Sequence, residues 1–150
     1  MKPSEKSAPM TPRELPKWVE NTYGHDPSEW GEAKEQAREV LIEWARRYDP
    51  GTYGELVDRV TAIEWPEGAF TQFGGQIGHL LGQISAEEWV ERRPLLSALA
   101  VLKGADEPSG GFYRLCAELP DVNLPAGKEA RYEFWLQEVK RCRDYWKLHS

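Results

Sequence analysis

The sequence predicts a mostly α protein with a small β component, and three observations carry that expectation. Helix-start signatures occur at Asp26-Pro27-Ser28-Glu29 and at Thr52-Tyr53-Gly54-Glu55. Each places a side-chain acceptor three residues before a glutamate, the spacing that answers the free backbone donors of a first helical turn. Apolar residues then recur at intervals of three and four, the period of a helix with one buried face. At Leu95 the period changes to a near-continuous apolar run through Leu102, bounded by Pro94 and Lys103, which suits a strand covered on both sides. Helix, helix, strand and polar loop in this order describe a winged helix. The expected architecture is therefore α+β: a winged-helix-like core with an N-terminal arm and a long C-terminal amphipathic helix.

The 150 residues are enough for one domain with its own core. We expect a flexible arm over 1–17, a winged-helix-like domain over 18–120, a linker over 121–127 and a final helix over 128–150 packed on the domain. The arm carries Pro3, Pro9, Pro12 and Pro16 among Ser, Lys and Glu, a composition poor in apolar area to offset the entropy of ordering. Leu15, Trp18 and Val19 follow and can fold back onto the core.

The first long helix starts at Asp26 and sets Trp30, Ala33, Ala37, Val40, Leu41, Trp44, Ala45 and Tyr48 on one apolar face before Pro50-Gly51 ends it. The second runs over TYGELVDRV. The third carries Phe70, Phe73, Ile77, Leu80, Leu81 and Ile84 on one stripe, interrupted by Gly74, Gly75, Gly78 and Gly82. A glycine inside a helix costs about 1 kcal/mol relative to alanine, so these four predict close approach, either within the molecule or against a partner.

Ser85 and Glu88 repeat the capping spacing and predict a separate helix before Pro94. After the run 95–102, GADEPSGG reads as a polar loop and Phe112 to Leu119 as a strand entering a short helix. The last helix begins near Lys128. It sets Tyr132, Trp135, Leu136, Val139, Cys142 and Trp146 on one stripe, with Phe134, Arg141 and Tyr145 on a second.

The formal charge of −6 and pI near 5.2 oppose a wholly cationic sheath for nucleic acid or anionic lipid. No apolar stretch reaches the roughly 18 residues of a membrane span, and the N-terminus lacks a secretory apolar run. Two cysteines, Cys116 and Cys142, lie within helical apolar patterns and read as buried, reduced thiols. These features predict a cytoplasmic protein without membrane attachment.

Chemistry is sparse. His25, His79 and His149 are far apart and lack cysteine or acid at ligand spacing, so no metal is expected. FTQFGGQIGH lacks the lysine and hydroxyl of a phosphate loop, so no nucleotide and no cofactor is expected. Ser97 sits in the apolar run without a nucleophile-elbow motif and reads as a core hydroxyl. The chain is expected to be non-enzymatic.

With TYGEL, GGQIGHLLGQI and PLLSALAVLKGADEPSGGF in that order, the middle half of the chain resembles the winged-helix half of the alkylguanine transferase and alkyltransferase-like family. That resemblance implies a glycine-containing recognition helix beside duplex DNA. It carries over no alkyl transfer, because Pro94 is followed by Leu95 and Leu96 in place of a reactive cysteine motif. Thr71 and Gln72 stand where the family places an intercalating arginine.

The first functional expectation is thus a DNA-binding or DNA-associated accessory protein. Gln72, Gln76 and Gln83 would read base edges, and Arg59, Arg92, Arg93 and Lys103 would meet phosphates. The third helix itself has no lysine or arginine, and acids surround it. The alternative is a protein–protein adaptor or self-associating module. It would dock a partner or a second copy through Gly74, Gly75, Gly78 and Gly82, or through Phe134, Arg141 and Tyr145.

Overall fold

Five α-helices are present among residues 12–66 and 75–149, the residues that the computed structural model describes. They are α1 (Pro27–Arg47), α2 (Tyr53–Arg59), α3 (Gln76–Val90), α4 (Gly110–Glu118) and α5 (Lys128–Leu148). Single 3-10 turns occur at Lys17–Glu20 and Leu96–Leu99. The β component is one parallel pair, β1 (Gly51–Thr52) beside β2 (Ala100–Val101), with Gly51 opposite Ala100 and Thr52 opposite Val101. The mostly α chain with a small β component is as expected.

Local signals placed the first two helices well. The Asp26 carboxylate accepts from the backbone N–H groups of Ser28 and Glu29, Pro27 opens α1, and Tyr48 closes it in the left-handed region at φ 56°. In α2 both halves of the capping box form: Thr52 Oγ1 accepts from the Glu55 N–H at 3.1 Å, and Glu55 Oε1 accepts from the Thr52 N–H at 2.8 Å. β1 follows directly from the end of α1, so Gly51 lies against the face of the Trp44 indole.

The run after Pro94 differs from the expected strand. Residues Leu96–Leu99 form a 3-10 turn, and only Ala100–Val101 extend. The reason is that α1, α3 and α5 all contact this turn. A strand has two faces, whereas a turn with three residues per revolution can present apolar side chains to neighbours on every side.

The cost of burying its backbone is met by side chains. The Leu95 N–H donates to Glu138 Oε2 at 2.8 Å, and the Ser97 N–H donates to Ser85 Oγ at 2.9 Å. The Ala98 carbonyl accepts from Trp135 Nε1 at 2.8 Å. Ser85 is therefore a buried interior residue of a continuous α3 and not the cap of a separate helix. Its hydroxyl also meets Ser97 Oγ at 2.6 Å, in keeping with Ser97 as a core hydroxyl.

β2 pairs in parallel with β1, and the loop after it leads straight into α4, whose N-cap is Ser109. No β-hairpin wing is formed between Ala100 and Glu118. Tyr53 fixes this loop: its hydroxyl donates to Ser109 Oγ at 2.7 Å and accepts from the Ser109 N–H at 3.1 Å.

Residues 1–11 of the expected arm lie outside the described residues, as do Phe70, Gln72, Phe73 and Gly74. Residues 12–26 cross α3, with Val19 buried and Trp18 against Gly82. On α5 the buried stripe is Trp135, Glu138, Val139, Cys142 and Trp146, whereas Tyr132 and Leu136 remain exposed.

Both thiols are buried. Burial, with the Glu138 carboxylate nearby, pushes the Cys116 thiol up to about 12 and holds Cys142 well above its usual value. Neither should react with a disulfide reagent at about pH 8, where an ordinary thiol is substantially ionised. Thiol titration should count none in the native protein and both in denaturant; fast native reaction of either would contradict this packing.

Candidate binding cleft

The site begins at the end of α3. Glu88, 1% exposed, accepts from Arg38 Nε at 2.8 Å and from Arg93 Nε at 2.7 Å. The chain then reverses: the Arg92 N–H donates to the Trp89 carbonyl, the Arg93 N–H donates to the Glu88 carbonyl, and Arg92 takes φ 60°. This left-handed closure answers the last carbonyls of the helix. It also carries Arg92 and Arg93 toward α5.

On α5, Phe134, Glu138, Arg141 and Tyr145 recur at intervals of four, three and four, which places them on one stripe. Arg141 donates to Glu138 Oε1. From the other side comes the N-terminal segment. Arg13 donates to the Trp89 carbonyl at 2.7 Å and to Asp121 Oδ2 at 2.8 Å, with its guanidinium 4.8 Å above the Trp89 ring. Burial raises the Asp121 pKa, but hydrogen bonds from the Trp89 indole and from Arg13 outweigh that and hold it below the ordinary carboxylate value.

These residues enclose a cavity of about 270 Å³ whose walls include Arg13, Arg92, Arg93, Arg141 and Phe134, with Asp121 and Glu138 as the acids. A second cavity, about 460 Å³, adjoins it across Arg93 and is lined by Arg38, Arg46, Tyr145, Trp146 and His149, with Glu39 as its acid. Arg46 donates to the Trp146 and His149 carbonyls at 2.9 and 2.7 Å, which hold it without neutralising its charge. Across both cavities six arginines face three carboxylates, with a fourth, Glu88, buried behind them.

A wider open groove of about 1200 Å³ lies elsewhere, at the start of α5 between Tyr113 and Tyr132. Its charges are mixed, with Lys128 and Arg131 among Glu107, Glu129 and Glu133. It selects for no ligand charge, so the arginine cleft is the better site despite its smaller volume.

The sequence-derived base readers are differently placed. Gln83 is fully buried: its Oε1 accepts from Trp30 Nε1 at 2.7 Å, and its Nε2 donates to the carbonyls of Trp18 and Asn21 at 3.1 and 2.8 Å. Gln76 meets His25 Nε2 at 2.7 Å and lies beside the Tyr23 carbonyl. Tyr23 stacks on His79, with ring centroids 4.4 Å apart. Residues 18–25 thus occupy the face of α3 that would enter a groove. Gln83 follows Leu80 by three residues, a spacing that already placed it on the apolar face.

Arg92 and Arg93 do come together, but Arg59 pairs with Glu43 at 3.3 Å and Lys103 stands in the exposed loop after β2. Of the glycines, Gly75 is the N-cap of α3, Gly82 leaves room for Trp18 at 3.7 Å, and Gly78 has no neighbour within 4 Å of a Cβ position among the described residues. The second stripe of α5 is where the expectation and the cleft meet, since Phe134 and Arg141 line one cavity and Tyr145 the other.

Arg13, Arg38 and Arg46 were not signalled by the sequence. They lie in a proline-rich arm and on the polar flank of α1, where an arginine has no distinguishing neighbour. Among the described residues no group of three His, Cys, Asp or Glu could hold a metal ion, and no helix is long and apolar enough to cross a membrane. Comparisons with protein-family models, curated proteins and solved structures give no match.

Proposed function

We propose that this chain is a non-enzymatic protein-interaction module whose arginine cleft docks an acidic segment of a partner protein. One observation carries the reading: Arg13, Arg92, Arg93 and Arg141 converge beside Phe134 on the wall of a single cavity. Guanidinium forks match carboxylates with paired hydrogen bonds, and arginine with aromatic side chains anchors protein interfaces. The surrounding molecule is acidic overall. That net charge disfavours non-specific association with an acidic partner, so the arginines of the cleft set the docking geometry.

The same pair Arg92 and Arg93 supports a second reading, a DNA-associated accessory protein that holds duplex phosphates. Base readout by α3 is not part of it, because Gln83 is saturated within the core.

Fluorescence anisotropy with a labelled glutamate-rich peptide and a labelled duplex, both at low salt, separates the two. The peptide should bind, and Arg141→Ala should weaken it about tenfold, the worth of one charge-assisted contact. If the duplex binds and the peptide does not, the cleft serves DNA. If neither binds, the docking role is wrong.

A further inference from the structure

We infer that the acidic group this cleft takes from its partner is a phosphorylated side chain, bound as a dianion at the cavity shared by Arg92, Arg93 and Arg141. This rests on the docking role proposed above and specifies the group that is docked.

Charge is the first support. The cavity wall sets Arg13, Arg92, Arg93 and Arg141 against two carboxylates, Asp121 and Glu138, an excess of two positive charges. Counting the buried Glu88 leaves that excess unchanged, because Arg38 enters with it. Both wall carboxylates are already engaged. Asp121 accepts from the Trp89 indole at 3.0 Å and from Arg13 at 2.8 Å, and Glu138 accepts from Arg141 and from the Leu95 N–H. A glutamate of the partner would cancel only one of the two charges. A phosphate monoester, which carries about −1.5 to −2 at neutral pH, cancels most or all of both.

The supply of donors is the second support. Arg13 is spent, with Nη1 on the Trp89 carbonyl and Nη2 on Asp121. Among the described residues Arg93 bonds through Nε and Nη2, both to Glu88, and Arg141 bonds through Nη1 alone. Arg93 Nη1 and Arg141 Nε and Nη2 therefore remain for a ligand. Solvent reaches them: Arg93 Nη1 is not among the buried nitrogens that lack an acceptor, and the Arg141 side chain is 58% exposed. Three nitrogens suit the three terminal oxygens of a phosphate better than the two of a carboxylate.

Size points to a side chain as the carrier. At about 270 Å³ the cavity is smaller than the roughly 300–1,000 Å³ that encloses a whole small ligand. It takes one group of a larger ligand, and Val122 and Phe134 offer apolar wall to the stem. The net charge of −6 opposes the densely charged surface of an anionic bilayer or a duplex more than it opposes a single phosphate. A phosphopeptide is thus favoured over a lipid headgroup or DNA.

The test titrates the full chain with labelled peptides of one sequence that carry phosphoserine, phosphotyrosine, glutamate or serine at the same position. A labelled duplex and vesicles containing phosphatidic acid are the other probes. The tighter phosphopeptide should bind about tenfold more tightly than the glutamate peptide, and the serine peptide should bind weakest. Arg141→Gln removes one of the two excess charges from an exposed side chain and should cut the preference for phosphate to about twofold. The phosphorus NMR resonance of the peptide gives a readout without mutation, and it should move on binding.

Equal affinity for the phosphorylated and glutamate peptides, a preference untouched by Arg141→Gln, or a phosphorus resonance that stays in place would overturn the phosphate site while leaving the docking role standing. No binding of any peptide, or binding that ignores the acidic position, would overturn both. Tighter binding of the duplex or the vesicles than of every peptide would assign the cleft to DNA or to a membrane and overturn both as well.

Discussion

Glu88→Ala is expected to lower the unfolding free energy by about 4 kcal/mol, the range found when one member of a buried ion pair is removed. The carboxylate is 1% exposed and lies between Arg38 and Arg93 at 2.8 and 2.7 Å. Its loss leaves two guanidinium groups facing each other with no counter-charge. Glu88→Gln keeps the shape and one acceptor and should lose less. Urea unfolding followed by tryptophan fluorescence measures both. A change below about 1 kcal/mol for the alanine variant would mean that solvent reaches the arginines and the pair is not structural.

The second large effect is expected at Gly51. A methyl group added there would lie 2.5 to 2.7 Å from three atoms of the Trp44 ring. Trp44 is itself 5% exposed in the face of α1, so the ring has nowhere to retreat. Gly51→Ala should therefore cost about 3 kcal/mol through overpacking and the loss of β1 pairing. Combining it with Trp44→Leu, which opens the space, should cost less than the sum of the two single changes, because residues in contact are not additive. Strict additivity in the same urea experiment would show that the clash is relieved elsewhere.

How far these features were legible in the sequence depended on the distance over which they are encoded. The Asp26 and Thr52 caps, the buried stripe of α1 and the start of α5 are set by residues within a turn or two of one another, and all appear in the structure. The run Leu95–Leu102 was read by its composition alone. Whether such a run extends or coils is decided by what surrounds it, and here helices on several sides, with Ser85, Trp135 and Glu138 bonding its backbone, favoured the turn.

Gln83 shows the opposite confusion. A polar side chain on a helix can face outward or satisfy the interior, and the partners that settle it, Trp18, Asn21 and Trp30, lie more than fifty residues away. The cleft was visible only in part. The stripe Phe134–Arg141–Tyr145 could be seen because it is periodic within one helix. Arg13 comes from the N-terminal segment, and Arg38 and Arg46 from α1, and no spacing links them to Arg92 or to α5 until the chain is folded.

The turn at Leu96–Leu99 also bears on how this molecule comes apart. It touches α1, α3 and α5, and its neighbour Ala100 pairs with Gly51, about a third of the chain away. Closing a loop of that length has an entropic cost that must be met before the contacts form, so such long-range docking belongs to the late stage of folding. Substitutions within the turn should then quicken unfolding while leaving the folding rate nearly unchanged. On that expectation these four residues set the lifetime of the native state more than the speed of reaching it.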